Sequence, residues 1–129
     1  MADSPIILVI EDDRLVQSMI DEILTRSGFD TAIAPSGEEA ITLLRGKSIP
    51  YRALISDINL RGKADGWEVA RVAREIDPEF PVIYITSAAG HDWASKSVPG
   101  SVLLLKPFTP ARLVGALSRL LDPAATDRG

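Results

Sequence analysis

Several kinds of residue are absent or scarce in this chain of 129 residues, and each scarcity excludes a class of protein. There is no cysteine and there is only one histidine. These counts exclude disulfide scaffolds, thiolate-bound zinc, thiol catalysis and a multi-histidine metal site. No apolar run approaches the roughly 20 residues of a membrane-spanning helix, and no basic-then-apolar secretion signal begins the chain.

The composition and charge that are present favour a single globular domain. Hydrophobic residues make up 46% of the chain and charged residues 25%, which is ordinary for a soluble protein. The net charge of −4 argues against nucleic acid as a direct partner, because phosphate binding needs a basic face. We expect one domain over residues 1–123, a polar tail over 124–129, no insertion into a membrane and a cytoplasmic location.

Short apolar runs alternate with stretches of helical periodicity along the chain. The runs are Ile6–Ile10, Thr31–Ala34, Ala53–Ser56, Val82–Ile85 and Val102–Leu105. Strands that alternate with helices predict a parallel sheet with helices on both faces. We therefore predict an α/β fold, a doubly wound sheet of five parallel strands built as (βα)5. Ser36 and Thr109-Pro110 are predicted helix starts, and residues 88–101 predict a short or irregular fourth helix.

Residues suited to phosphate and metal chemistry follow four of the five runs. In chain order they are Glu11, Asp12, Asp13, Asp57, Asn59, Thr86, Ser87, Lys106 and Pro107. Ligands of open parallel sheets bind beyond the carboxyl ends of the strands, so these side chains are expected to converge. Crowded carboxylates repel one another, and a hard divalent cation such as Mg²⁺ removes that conflict. A carboxylate can also act as the nucleophile in phosphoryl transfer, with a metal, a lysine and a hydroxyl neutralising the developing charge.

Four motifs at the strand ends make the chain resemble the receiver domain of two-component response regulators, the family of the chemotaxis protein CheY. They read ILVIEDD up to Asp13, ISD up to Asp57, ITS up to Ser87 and LKPF up to Phe108. The resemblance covers essentially the whole chain. It implies a flavodoxin-like sheet with strand order 2-1-3-4-5 and a phospho-accepting function in a two-component phosphorelay.

The resemblance also implies a magnesium site. Asp12 is expected to bind Mg²⁺ directly and Glu11 through a water molecule. Asp57 and the backbone carbonyl of Asn59 complete the expected set of ligands.

Further roles that the resemblance implies concern the phosphoryl group. Asp57 is the expected phospho-acceptor, Thr86 is expected to hydrogen-bond the bound phosphoryl group, and Lys106 is expected to pair with it, and with Asp57 beforehand. The Lys106-Pro107 peptide bond is expected to be cis. The expected donor is a sensor histidine kinase or a histidine phosphotransfer protein. The downstream partner is not specified, and a homodimer is left open.

The chain departs from the family pattern in three places. The loop after Asp57 reads Leu-Arg-Gly-Lys-Ala over residues 60–64 instead of the usual Met-Pro sequence, and it is one residue longer. Leu103 stands three residues before Lys106, where the family usually has an aromatic side chain. The predicted fourth helix is weak. We therefore expect a phosphate mimic to perturb residues 88–101 more than the fifth helix.

Two other functions remain compatible with these residues. A pseudo-receiver would keep the fold as an interaction module that phosphorylation does not regulate. An aspartyl-phosphate phosphatase would use Asp57 as its nucleophile. Haloacid-dehalogenase-like enzymes, however, have a second aspartate two residues later, where this chain has Asn59. We expect no enzymatic activity beyond the domain's own phosphotransfer and autodephosphorylation.

Overall fold

Strands and helices alternate through the part of the chain that the structure describes. The computed structural model describes residues 4–60, 62–87 and 93–122. The strands are β1 (Ile6–Ile10), β2 (Asp30–Ala34), β3 (Tyr51–Asp57), β4 (Val82–Thr86) and β5 (Val102–Leu105). The helices are α1 (Arg14–Arg26), α2 (Gly37–Gly46), α3 (Gly66–Ile76), α4 (Trp93–Lys96) and α5 (Pro110–Leu121).

The strands form one parallel sheet in the order β2-β1-β3-β4-β5. This order confirms the predicted doubly wound, flavodoxin-like topology. Because β1 and β3 are neighbours near the middle of the sheet, residues that follow these two strands lie side by side at its carboxyl edge. The fold thereby brings together segments that are far apart in the sequence.

Apolar side chains cover both faces of the sheet. Along β1, Ile7 and Val9 pack in one cluster with residues of α1 and α5, whereas Leu8 and Ile10 pack in a second cluster with residues of α2 and α3. Successive strand residues point to opposite faces, so a continuous apolar run supplies both clusters. The central strands of the sheet are therefore buried, and its carboxyl edge carries the polar residues.

Polar N-caps fix where the longer helices begin. The side chains of Asp13, Ser36, Asp65 and Thr109 accept hydrogen bonds from backbone N–H groups in the first turns of α1, α2, α3 and α5. These caps satisfy donors that have no partner within the helix. The helix starts predicted at Ser36 and at Thr109-Pro110 are confirmed. The cap at Asp13 also keeps the connection from β1 to α1 short, with Glu11 and Asp12 inside it.

The fourth helix is a single turn, Trp93–Lys96, which confirms the prediction of a short helix between β4 and β5. Residues 88–92 of that segment and the predicted tail over 124–129 lie outside the described residues. None of the helices in the described ranges has the length and hydropathy that crossing a bilayer requires.

Candidate functional site

Three acidic side chains meet at the carboxyl edge of β1 and β3. Glu11 follows β1 directly, and Asp57 is the last residue of β3. One carboxylate oxygen from each of Glu11, Asp12 and Asp57 lies within 4.8 Å of the other two. Glu11 is fully buried, Asp57 is 6% exposed and Asp12 is half-buried. The sequence prediction that these acids converge is confirmed, and we call this group the acidic pocket.

Lys106 lies against two of the three carboxylates. Its Nζ is 2.9 Å from Glu11 Oε1 and 3.0 Å from Asp57 Oδ2. Lys106 follows β5, which is two strands away from β3, so its side chain extends past the end of β4 to reach Asp57. Its backbone N–H donates to the carbonyl of Thr86 at 2.7 Å, and the Lys106-Pro107 bond is cis, as predicted.

The pKa values of Glu11 and Lys106 reflect this mixture of burial and opposite charge. Burial raises the pKa of Glu11 and outweighs the contact with Lys106 that lowers it. Burial alone would lower the pKa of Lys106, but the hydrogen bonds and charges of Glu11 and Asp57 raise it overall. Lys106 therefore stays a cation, and it offsets only part of the negative charge in the acidic pocket.

Backbone groups hold the carboxylates in fixed orientations. The N–H of Asp13 donates to Glu11 Oε2 at 3.1 Å, and the N–H of Asn59 donates to Asp57 Oδ1 at 3.0 Å.

The side-chain amide of Gln17, in the first turn of α1, donates to the backbone carbonyl of Glu11 at 2.6 Å. Sequence reasoning missed Gln17, although its position four residues after the N-cap Asp13 places it on the first turns of α1.

Thr86 ends β4 beside the acidic pocket. It is 2% exposed, and its position follows Ile85, which pairs with Asp57 in the sheet. The side-chain amide of Asn59 donates to Thr86 Oγ1 at 3.5 Å. The sheet register thus brings the predicted hydroxyl to the same edge as the predicted acceptor.

Tyr84 is a buried aromatic residue that the sequence analysis did not single out. It lies two residues before Thr86 on β4 and pairs with the half-buried Leu103 of β5. Its ring centroid is 4.8 Å from that of Trp67, a buried residue in the first turn of α3. Its hydroxyl accepts a hydrogen bond from the N–H of Val98 at 3.1 Å, and burial raises its pKa. An aromatic side chain therefore occupies β4 next to the position where the family usually has one on β5.

The donor set of the acidic pocket fits a hard cation. Three carboxylates offer oxygen ligands within one small volume, and Mg²⁺ prefers oxygen ligands of this kind. Asp13, by contrast, caps α1, because its Oδ1 accepts from the N–H groups of Leu15 and Val16. This contact agrees with its exclusion from the predicted ligands. The carbonyl of Asn59 stays a predicted ligand.

Comparison with known proteins agrees with this geometry. A family model described as the response regulator receiver domain matches residues 7–118. The response regulator receiver protein CpdR of Brucella abortus is 30% identical over 120 residues, which cover 92% of this chain and 98% of that protein. The crystal structure of a response regulator receiver protein from Sinorhizobium medicae is 40% identical with a TM-score of 0.89, and the match covers 92% of this chain and 95% of that one.

Some relatives are considerably longer than this chain. The transcriptional regulatory protein AfsQ1 of Streptomyces coelicolor is 33% identical over 111 residues, or 77% of this chain. The chain spans 48% of the length of that protein. The chemotaxis protein CheY4 of Vibrio cholerae, at 23% identity and a TM-score of 0.81 over 92% of this chain and 99% of that one, has the same fold.

The doubly wound sheet with acids and a lysine at its carboxyl edge defines a CheY-like signalling domain. The chain belongs to the response regulator receiver domain family of two-component signalling. Proteins of this family interact with histidine kinases or histidine phosphotransfer proteins. The matched residues 7–118 lie inside the domain predicted over 1–123, whose exact bounds stay a prediction.

Proposed function

We propose that Asp57 accepts a phosphoryl group from a phosphohistidine, with Mg²⁺ bound in the acidic pocket. The observation that carries this proposal is the position of the Asp57 carboxylate. It lies at the end of β3, 3.0 Å from the cation of Lys106, and one of its oxygens is within 4.8 Å of a carboxylate oxygen of Glu11 and of Asp12. The donor would be a sensor histidine kinase or a histidine phosphotransfer protein in the cytoplasm.

The proposed reaction moves a phosphoryl group from a ring nitrogen of the donor histidine to a carboxylate oxygen of Asp57. A carboxylate oxygen of Asp57 forms a bond to phosphorus while the phosphorus–nitrogen bond of the donor histidine breaks. The electron pair of the broken bond returns to the imidazole, which takes a proton from solvent. The product is an acyl phosphate on Asp57 and a neutral histidine on the donor.

The described side chains of the acidic pocket can stabilise this transfer. When bound, Mg²⁺ would supply positive charge next to the phosphoryl oxygens, held by Asp12 and Asp57, by Glu11 through water, and by the Asn59 carbonyl. Lys106 is already next to Asp57 and can follow the phosphoryl oxygens as negative charge moves onto them. The N–H of Asn59 on Oδ1 keeps the Asp57 carboxylate oriented for attack.

Thr86 supports a conformational response to phosphorylation. Its hydroxyl is buried at the edge of the acidic pocket and is positioned to hydrogen-bond a phosphoryl oxygen. Such a bond would compete with its contact to Asn59 and pull on the end of β4. We propose that the phosphorylated domain then acts through changed contacts with another protein.

An apolar surface next to the acidic pocket supports a protein donor. Leu15 is 82% exposed near the start of α1, and Met19 is exposed one turn later. Met19 also lines a groove between α1 and α5, together with Ile23, Phe108 and Val114. Exposed apolar side chains beside a groove with apolar walls are typical of protein contact sites. This surface begins two residues after Asp13, so a protein bound there would lie beside the acidic pocket.

Labelling with a small phosphodonor tests the proposed acceptor. We expect acetyl phosphate with Mg²⁺ to add one hydroxylamine-sensitive phosphoryl group, detected by intact-protein mass spectrometry. Asp57→Asn should abolish the label, because an amide cannot form the acyl phosphate. Asp77→Asn, an exposed position at the end of α3, is the matched control and should label normally. Labelling that survives in D57N contradicts the assignment, and no labelling of the native protein favours an interaction module that phosphorylation does not regulate.

A further inference from the structure

The loop between β3 and α3 is bound to α2 by one carboxylate. Glu38, in the first turn of α2, accepts the N–H of Lys63 on Oε2 at 3.2 Å and the N–H of Ala64 on Oε1 at 3.4 Å. Both oxygens of the side chain thus hold consecutive backbone amides of a loop that lies 25 residues further along the chain. We call this arrangement the Glu38 clamp.

Two glycines allow the loop and the helix to approach this closely. A Cβ at Gly62 would lie 2.6 Å from Glu38 Oε2, and Gly62 has a φ of +98°, which disfavours other residues. A Cβ at Gly37 would lie 2.3 Å from the carbonyl oxygen of Ala64. A residue without a Cβ therefore stands on each side of the contact, Gly62 in the loop and Gly37 in α2. This pairing indicates that the contact between Glu38 and the loop is a defined part of the fold.

The carboxylate of Glu38 is held in its charged form by the loop. The N–H of Lys63 is the largest cause that lowers the pKa of Glu38. A charged acceptor makes stronger hydrogen bonds to backbone amides than a neutral one. Charge on Glu38 therefore favours the clamped loop.

The same loop begins and ends at the acidic pocket. It starts after Asn59, whose N–H binds Asp57 Oδ1, and it ends at Gly66, whose N–H donates to the carbonyl of Ile58 at 3.1 Å. A Cβ at Gly66 would lie 2.3 Å from the carbonyl oxygen of Asp57. Both ends of the loop are hydrogen-bonded to residues at the end of β3, and the Glu38 clamp holds the loop at residues 63 and 64.

We propose that Glu38 is a positioning residue for the acidic pocket. By holding the long β3–α3 loop against α2, it keeps Asn59 in the place from which its carbonyl can bind Mg²⁺. This inference rests on the proposed function for the identity of the metal. It assigns a role to a residue that lies outside the four family motifs and on the other side of the loop from the acidic pocket.

The first experiment measures the loop without any phosphorylation. In metal-free protein, nuclear magnetic resonance should show faster amide exchange at Lys63 and Ala64 in Glu38→Ala, and an intermediate rate in Glu38→Gln, which keeps one acceptor oxygen. Glu39→Gln is the matched control, because its carboxylate accepts no hydrogen bond from the described loop residues. Unchanged exchange in E38A overturns the Glu38 clamp.

The second experiment measures Mg²⁺ binding by calorimetry. We expect E38A to weaken Mg²⁺ affinity about tenfold, as loss of an outer partner of a metal site typically does. The rate of Asp57 labelling at saturating Mg²⁺ should stay at the native value. Gly62→Ala disturbs the same contact from the loop side and should also weaken Mg²⁺ binding. Faster exchange with unchanged Mg²⁺ affinity shows a purely structural contact and overturns the inference.

The two hypotheses fail in different ways. If the native protein binds Mg²⁺ but is never labelled, the proposed phospho-acceptor is wrong, while the effects of E38A on exchange and affinity still test the Glu38 clamp. If labelling depends on Asp57 but E38A binds Mg²⁺ with native affinity, the clamp inference is wrong and the acceptor stands. Circular dichroism of E38A and G62A checks that each variant is folded.

Discussion

Lys106 lies 2.9 and 3.0 Å from two buried carboxylates at the strand ends, whereas the nearby β3–α3 loop is held at 3.2 and 3.4 Å by one exposed glutamate. The first contact follows from the sheet, because strand order alone brings Glu11, Asp57 and Lys106 to one edge. The second depends on Gly37 and Gly62, where an added Cβ would lie within 3 Å of the opposite segment. In this chain the order of the strands therefore sets the acidic pocket, whereas a contact between α2 and residues 63 and 64 sets the position of the loop beside it.

The largest expected effect is the loss of stability when Lys106 is removed from its ion pairs with two buried carboxylates. Lys106→Met leaves two buried carboxylates facing each other, so we expect the free energy of unfolding to fall by about 3 kcal/mol. Saturating Mg²⁺ should restore part of the loss. Chemical denaturation with and without Mg²⁺ measures both effects.

An exposed ion pair of the same length serves as the control for that prediction. Arg26 and Glu22 are 3.0 Å apart, but their side chains are 78% and 64% exposed. Arg26→Met should therefore change the free energy of unfolding by about 0.5 kcal/mol or less. If K106M is as mild as R26M without Mg²⁺, the acidic pocket is not the electrostatic unit described above.

The next effect concerns the apolar surface beside the acidic pocket. Leu15→Ala removes an exposed leucine from the proposed donor contact, and we expect phosphotransfer from a phosphorylated histidine donor protein to slow about tenfold, since an exposed apolar anchor is worth roughly 1–2 kcal/mol at an interface. Labelling by acetyl phosphate should be unchanged. Leu43→Ala, on α2 at the opposite face of the sheet, is the matched control. Equal slowing with both donors would place the defect in the acidic pocket instead.

A smaller effect is expected at Tyr84. Tyr84→Phe removes the acceptor of the buried Val98 N–H and should cost about 1–2 kcal/mol in unfolding free energy. Amide exchange at Val98 should become faster, whereas exchange in α5 should change little. Tyr51→Phe is the control, because the described residues give its hydroxyl no hydrogen bond. An unchanged Val98 amide would mean that Tyr84 does not anchor the segment before β5.

The smallest expected effect is a pH-dependent difference in Tm. The folded-state pKa of Glu38 is lowered from its ordinary value of 4.5, so its contribution to stability is present above about pH 4.5 and is lost as the pH falls through the lowered pKa. We expect the Tm of native protein to exceed that of E38Q near neutral pH and the two values to converge in acid. A difference that persists unchanged in acid would contradict a charged clamp.

The parallel sheet and the convergence of acidic residues at its carboxyl edge could be predicted from the sequence because both follow from local patterns. The strand order came from the family resemblance. The apolar runs predicted the strands. Glu11, Asp57 and Lys106 were found as polar residues at the carboxyl ends of those runs. The contacts of Glu38 and Tyr84 could not be predicted, because each depends on distances between segments that no periodicity reports. The roles of the site residues came from the family resemblance and stay predictions until Mg²⁺ binding and phosphorylation are measured. These residues are Glu11, Asp12, Asp57, Asn59, Thr86 and Lys106.

The central claim is that the phosphoryl group resides on Asp57, and chemical mapping tests it most directly. After labelling with acetyl phosphate and Mg²⁺, borohydride reduces an acyl phosphate to a homoserine residue, which peptide mass spectrometry locates. We predict homoserine at position 57 in native protein and at no position in D57N. Homoserine at Asp12 or Asp13, or its absence from labelled native protein, would contradict the account.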